Sequence, residues 1–281
     1  MTSFNTYETA WCPGCGNFSI LSALKTALEE LGKEPHEVLM AAGIGQAAKT
    51  PQYISANSFC GLHGRSLPAA IAAKIANEDL TVIVNTGDGD SYGEGGNHFL
   101  HNIRRNVDIT HFVHDNQIYG LTKGQASPTT ATGQVTPVQT DGNLNQPINP
   151  LLMAIAAGAG FVARAYSGEQ EHLVSIMKEA INYPGYALVD IFQPCVTFNK
   201  VNTYAYYNER VYKLDESYDP SNKMMAIEKA MESDSSLPIG IVYKEEKANF
   251  HEKHEVLSKG KPLLDIKTDQ DVINDLIKEF I

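Results

Sequence analysis

The stretch LTVIVNTGDGDSYGEGGNHFLHNIRRNVDITHFVHDNQIYG, residues 80–120, decides the fold. Leu80–Thr86 is a compact run of apolar and β-branched residues closed by Gly87-Asp88-Gly89-Asp90. Residues 95–106 are patterned as a helix, and Ile109–Asn116 reads as a second strand. The alternation continues in both directions. Upstream, Asn17 is placed to cap a helix over residues 18–31, an apolar run at 38–45 ends in glycines, and 66–77 is helix-like. Downstream of a polar loop (122–150) come a helix (151–158), a strand (161–165), a helix (169–182) and a strand (186–193). Strands alternating with helices at this spacing specify an α/β fold, a parallel sheet with helices on both faces. Ligands of such sheets collect at the carboxyl ends of the strands. GIGQAAK, GDGD, HDNQIYG and QPCVTFNK each follow a strand, so one sheet edge can gather every distinctive segment.

Beyond about residue 200 the character changes to an aromatic-rich segment, TYAYYNERVYKL, and then a Lys/Glu-rich remainder with a strand expected at 238–243 and a helix at 269–280. The expected organisation is a ligand-binding domain over residues 1–200 and a C-terminal extension over 201–281, packing on the domain or on a partner. With 43% hydrophobic and 20% charged residues the composition is that of a soluble globular protein. A net charge of −11 argues against nucleic-acid binding, which needs a basic face. No stretch is apolar over the roughly 18 residues a membrane helix needs. The N-terminus, MTSFNTYETAWCPGCG, lacks a basic region followed by an apolar run, so the expectation is a cytoplasmic protein.

The glycines at the end of the 80–86 strand let backbone approach a bound diphosphate closely, and the diphosphate needs a divalent cation to offset its charge. Magnesium takes few oxygens from protein and the rest from phosphate and water. Asp88 can supply a carboxylate oxygen, Asn116 an amide oxygen and Ile118 its carbonyl. This arrangement resembles the thiamine-diphosphate motif, GDG followed one helix and one strand later by Asn. The resemblance places Asp90, Gly95 and Gly96 along the diphosphate, the glycine pair opening a helix whose N-terminus favours anions.

Four cysteines are present, Cys12, Cys15, Cys60 and Cys195, as many thiolates as a [4Fe–4S] cluster uses. Cys12-Pro-Gly-Cys15 alone is ambiguous between a redox dithiol, a zinc half-site and a cluster half-site. WCPGCGN, GIGQAAK, LHGRSLPAA, NTGDGDSYGEGGNH, HDNQIYGLTKGQ and QPCVTFNK, in order from residue 10 to about 215, resemble the β subunits of 2-oxoacid:ferredoxin oxidoreductases. That resemblance implies a thiamine-diphosphate-binding fold of the diphosphate-binding (PP) type, with thiamine diphosphate, Mg2+ and a [4Fe–4S] cluster. It implies oxidative decarboxylation of a 2-oxoacid with coenzyme A to acyl-CoA and CO2, electrons passing to ferredoxin. The pyrimidine-binding domain would reside on a separate α subunit. It assigns Cys12, Cys15 and Cys195 to iron. Better-known members carry their remaining cysteine in the GIG-C segment, where this chain has Gln46; Cys60, from a neighbouring loop, is the expected fourth ligand. The competing readings are a three-cysteine cluster and a chemically inert Cys60.

The expected cofactor-binding residues are Ile44, Gly45, Gln46, Ala47, His63, Gly87, Gly89, Asp90, Gly120 and Leu121, with His63 the candidate catalytic group. Lys49 and Leu121 are the expected substrate contacts, Lys49 reading the second carboxylate of 2-oxoglutarate and Lys123 a weaker alternative. The local pattern looks most like members using 2-oxoglutarate. Two other readings stay open: a non-oxidative thiamine-diphosphate decarboxylase subunit whose cysteines hold zinc or nothing, and a non-catalytic scaffolding subunit.

Overall fold

The computed structural model describes residues 4–233, 235–259, 262–267 and 269–280. Its centre is one eight-stranded sheet in the order β2-β1-β3-β4-β6-β5-β8-β7. The strands are β1 (Val38–Ala42), β2 (Asn57–Cys60), β3 (Thr81–Gly87), β4 (Ile109–Asp115), β5 (Phe161–Tyr166), β6 (Tyr186–Phe192), β7 (Val211–Lys213) and β8 (Leu237–Lys244). From β2 across to β5 every pairing is parallel, and β8 runs antiparallel to β5. All residues of β4, β5 and β6 are buried. That burial explains why these strands read as near-continuous apolar runs.

Successive side chains of a strand leave opposite faces, so the central strands feed two cores. On one face Ile83, Phe112 and Val189 join Ile20, Leu24 and Leu28 of α1 (Asn17–Glu30) and Leu173 and Met177 of α5 (Gln170–Ile181). On the other, Val84, Val113 and Leu188 meet Leu67 of α2 (Ser66–Ala76), Phe99 and Ile103 of α3 (Gly96–Arg105) and Leu151 of α4 (Pro150–Ala156). Helices therefore cover both faces. Past residue 200, α6 (Tyr204–Asn208) buries Tyr207 against Phe192 and Tyr166, and α7 (Lys223–Met231) adds Ala226 and Ala230 to the second core. Two further helices, α8 (Phe250–Lys253) and α9 (Gln270–Lys278), follow β8. Among the described residues no helix is long and apolar enough to cross a membrane.

Two local expectations change. Asn17 is not a cap: Gly16 precedes the helix without any side-chain cap, and Asn17 is its first residue, buried. His114 Nδ1 donates to its Oδ1 at 2.8 Å, so the amide anchors α1 to β4. A Cβ at position 16 would come within 2.8 Å of Ser167 Oγ, so only glycine lets the chain enter the helix there. The second change is β2, a short edge strand that the sequence pattern does not announce; all four of its residues are exposed.

One residue ties distant elements together. Asn106 closes α3 in the left-handed conformation, φ 55°. Its Oδ1 accepts from Tyr186 N at the start of β6 (3.1 Å), and its Nδ2 donates to Ala248 O (3.2 Å). Asn106→Ala loses both bonds and strains the backbone, and should lower unfolding free energy by about 2–4 kcal/mol in a urea titration. Asn106→Gly relieves the strain alone and should recover only part; full recovery would show that the side-chain amide contributes nothing.

Candidate active site

The carboxyl ends of β1, β3 and β4 open onto one cavity of about 320 Å³. Ile44, Gly45, Gln46 and Ala47 follow β1, Gly87, Asp88, Gly89 and Asp90 follow β3, and Asn116, Ile118, Gly120 and Leu121 follow β4; all of them line it. His63, from the turn between β2 and α2, lines it as well. Thus the expected cofactor and magnesium residues come together on one wall or another of a single space. Glu94, Tyr119, Thr122 and Gln125 complete the lining, and the sequence had not singled them out. Close packing explains Gly89: a Cβ there would fall 2.2 Å from the Tyr119 ring.

Asp90, which lines the cavity, also holds two loops together. Its Oδ1 accepts from Ile44 N (3.0 Å) and Gly64 N (2.8 Å), so it clamps the loop after β1 to the turn carrying His63. The turn is tight there: Gly64 has φ +65°, and a Cβ on it would sit 2.4 Å from the Glu94–Gly95 backbone. Burial pushes the Asp90 carboxyl upward, while the two amides hold it in its charged form.

Asp88 is buried, and burial pushes its carboxyl up to about 6. Thr129 Oγ1 lies 2.7 Å from Asp88 Oδ2 and 2.8 Å from Asp115 Oδ1. A hydroxyl carries one hydrogen, so one of these contacts needs a protonated carboxyl. Asp115 is the group that keeps its proton: burial, then the neighbouring Asp190 and Asp88 charges, hold it well above the carboxylate range. Asp115 then donates to Thr129 and Thr129 to Asp88, which stays ionised and aimed. Asp190 is fixed separately by Tyr92 Oη (2.8 Å) and Arg164 Nε (3.2 Å).

Beside this cavity runs a narrow cleft bordered by Cys12, Cys15 and Cys195. Gln46, Asn116 and Gly120 line both spaces and form the wall between them. Gln193, just past β6, spans the wall: Asn116 Nδ2 donates to its Oε1 at 3.1 Å, and its Nε2 lies 3.4 Å from Cys15 Sγ. Burial pushes the Cys15 thiol up to about 11, with Cys195 and Cys12 adding to the shift. Among the described residues no three His, Cys, Asp or Glu side chains converge as a site for a single metal ion. Thiols spread around a cleft suit a cluster instead, because each ligates its own iron. For magnesium the donor set is oxygen throughout, one carboxylate, one amide and one carbonyl, which fits a hard cation sharing a diphosphate.

Three expected site residues stand elsewhere. Cys60 ends the exposed edge strand β2 and does not line the thiol cleft. Lys49 lies half-buried in the short 3₁₀ turn Ala47–Gln52 and does not line the cavity; two residues past Ala47, the tight turn has carried it round the helix axis. Lys123 is exposed in a turn at φ +74°.

The clamp is testable without any ligand. Asp90→Ala should cost about 2–4 kcal/mol, and it should raise hydrogen exchange at the Ile44 and Gly64 amides more than at β4. Unchanged protection at those two amides would show that Asp90 holds neither loop.

The sequence matches the family model described as "Thiamine pyrophosphate enzyme, C-terminal TPP binding domain" over residues 36–191, and the model for the C-terminal part of the beta subunit of pyruvate ferredoxin oxidoreductase over residues 195–259. It is 45% identical to the 2-oxoacid:ferredoxin oxidoreductase subunit beta of Saccharolobus solfataricus, the match covering 96% of this chain and 95% of that one. It is 42% identical to the 2-oxoglutarate oxidoreductase subunit KorB of Mycobacterium tuberculosis over 68% of this chain and 52% of that protein. Among solved structures, the 2-oxoglutarate:ferredoxin oxidoreductase from Magnetococcus marinus, with 2-oxoglutarate, coenzyme A and succinyl-CoA bound, has a chain that superposes with TM-score 0.91 at 34% identity, covering 98% of this chain and 96% of that one. Sequence, sheet and cavity agree: the chain belongs to the β subunits of the 2-oxoacid:ferredoxin oxidoreductases, a family of thiamine-diphosphate enzymes.

Proposed function

We propose that this β subunit binds thiamine diphosphate with Mg2+ and, paired with an α subunit, oxidatively decarboxylates a 2-oxoacid with coenzyme A to acyl-CoA and CO2. The electrons leave through a [4Fe–4S] cluster to ferredoxin. The observation that carries this reading is the shared wall, in which Gln46, Asn116 and Gly120 separate the cavity from the thiol cleft and Gln193 joins Asn116 to Cys15. A non-oxidative decarboxylase has no use for three thiols set against its cofactor pocket.

In this reading Asp88, the Asn116 side chain and the Ile118 carbonyl hold magnesium, and Thr129 aims Asp88. Asn116 Oδ1 already accepts from Ile118 N at 3.0 Å, which orients the amide oxygen and leaves its second lone pair for the cation. Cys12, Cys15 and Cys195 ligate iron as thiolates. Bound thiamine diphosphate supplies a thiazolium carbon that stabilises negative charge at the keto carbon. Among the described residues His63 is the one basic side chain lining the cavity, so it is the chain's own group for contacting substrate or cofactor there. Lys49, two residues past the lining residue Ala47 and outside the lining itself, is the chain's proposed reader of a second carboxylate. Beyond that lysine, the preference for 2-oxoglutarate over pyruvate rests on the names of relatives such as KorB. The same holds for coenzyme A and ferredoxin.

Two measurements test the reading. Thr129→Val should weaken Mg2+-dependent thiamine diphosphate binding by about 10–100-fold in calorimetry, as loss of an outer partner of a metal ligand does; Thr129→Ser should retain it. The complex co-purified anaerobically with its α subunit should reduce ferredoxin with 2-oxoglutarate and coenzyme A faster than with pyruvate, and Asp88→Ala should abolish turnover. A colourless complex that releases CO2 without reducing any acceptor would instead establish the non-oxidative decarboxylase.

A further inference from the structure

Three thiols border the narrow cleft, and beside them four amide side chains line it, those of Asn17, Gln46, Asn116 and Gln193. Gln46 sits in the loop after β1, its main-chain carbonyl fixed by Trp11 Nε1 at 2.9 Å, which ties the Cys12–Cys15 lead to that loop. Its side chain runs past Gly120, with Cγ 3.8 Å from where a Cβ on that glycine would lie. The side-chain oxygen Oε1 is buried and, among the described residues, accepts no hydrogen bond. A buried carbonyl oxygen left without a partner is destabilising. Gln46 lines the thiol cleft, so this atom is available there to a ligand the polypeptide alone does not supply. Cys60, by contrast, is exposed at the end of the sheet's outermost strand, beside Ala42 in register and away from the cleft lining.

Resting on the cluster reading above, we propose that Gln46, and not Cys60, faces the fourth corner of the cluster. Cys12, Cys15 and Cys195 give thiolates to three irons, and the fourth iron takes the neutral amide oxygen of Gln46. Two consequences follow from donor chemistry. A cluster with one thiolate fewer carries one negative charge fewer, which raises its reduction potential relative to an all-thiolate set. An amide oxygen also holds iron more weakly than a thiolate, so that iron is the one released on oxidation. The step is [4Fe–4S]2+ giving [3Fe–4S]+, Fe2+ and one electron, the electron passing to an added oxidant such as ferricyanide.

The full chain, purified anaerobically, decides the matter through iron and sulfide analysis, EPR and redox titration. Wild type titrated with ferricyanide should lose iron and develop the EPR signal of an oxidised three-iron cluster, and Cys60→Ser should behave identically. Gln46→Cys should keep its iron, lose the three-iron signal and show a lower midpoint potential. The wild-type and Cys60→Ser arms stand even if Gln46→Cys fails to fold. Loss of cluster iron in Cys60→Ser, or a wild-type cluster that resists ferricyanide, would overturn the assignment of Gln46. Absence of iron and sulfide from wild type would overturn the cluster reading itself, and the Gln46 assignment with it.

Discussion

The parallel pairing of β4 with β6 sets Asp115 beside Phe192, and one residue further on Asn116 and Gln193 leave the sheet side by side. The Gln193 amide N donates to Asp115 O at 2.9 Å, continuing the ladder one step past the paired strands. Their side-chain amides then meet at 3.1 Å. This is a consequence of register, and register in a sheet buried on both faces is strongly constrained, because a one-residue slip would exchange the side chains of the two cores. The distance between the magnesium-type donor set and the cysteine cleft is therefore fixed by the hydrophobic pattern of strands that contain neither.

Behind that junction lies an unusual concentration of charge. Asp88, Asp115 and Asp190 are all buried, and Arg164, itself stacked 4.7 Å over the Phe192 ring, pairs among the described residues with Asp190 alone. Three buried anions against one cation would be costly, and the arrangement resolves the cost by protonating Asp115 and passing its hydrogen bond through Thr129. What emerges at the cavity surface is a single oriented carboxylate. A divalent cation at Asp88 would complete the balance, which gives the polar network behind the sheet a reason to be as elaborate as it is.

The repeating strand–helix pattern and the strand ends were legible because both rest on local chemistry: β-branched runs, glycine turns, and acidic or amide residues that have little reason to close a buried strand. The edge strand β2 was not, since Asn57–Cys60 is short, exposed and without alternation. Thr129 was invisible for a different reason. It lies in the irregular polar segment between β4 and α4, and its hydroxyl reaches Asp88 across 41 residues, a contact that no periodicity encodes. Counting cysteines pointed to Cys60, whereas the sheet order puts that residue on an outer strand and leaves Gln46 at the cleft. Lys49 is a still finer case, for adjacency in sequence to a cofactor loop does not decide which way a side chain turns within a helical turn. In these cases the missing information was topological or rotational, and neither is written in a residue's neighbours.

The antiparallel placement of β8 against β5 bears on how the molecule comes into being. β5 is buried along its whole length, yet the strand on one of its flanks is supplied from more than 70 residues later in the chain, as the pairing of Arg164 with Gly240 shows. During synthesis the first six strands can be complete while that flank still presents unsatisfied backbone and apolar side chains to solvent or to a neighbouring ribosome's product. The nascent polypeptide thus carries a sticky border until its last strand emerges, and early termination upstream of Leu237 would leave that border permanently open to self-association.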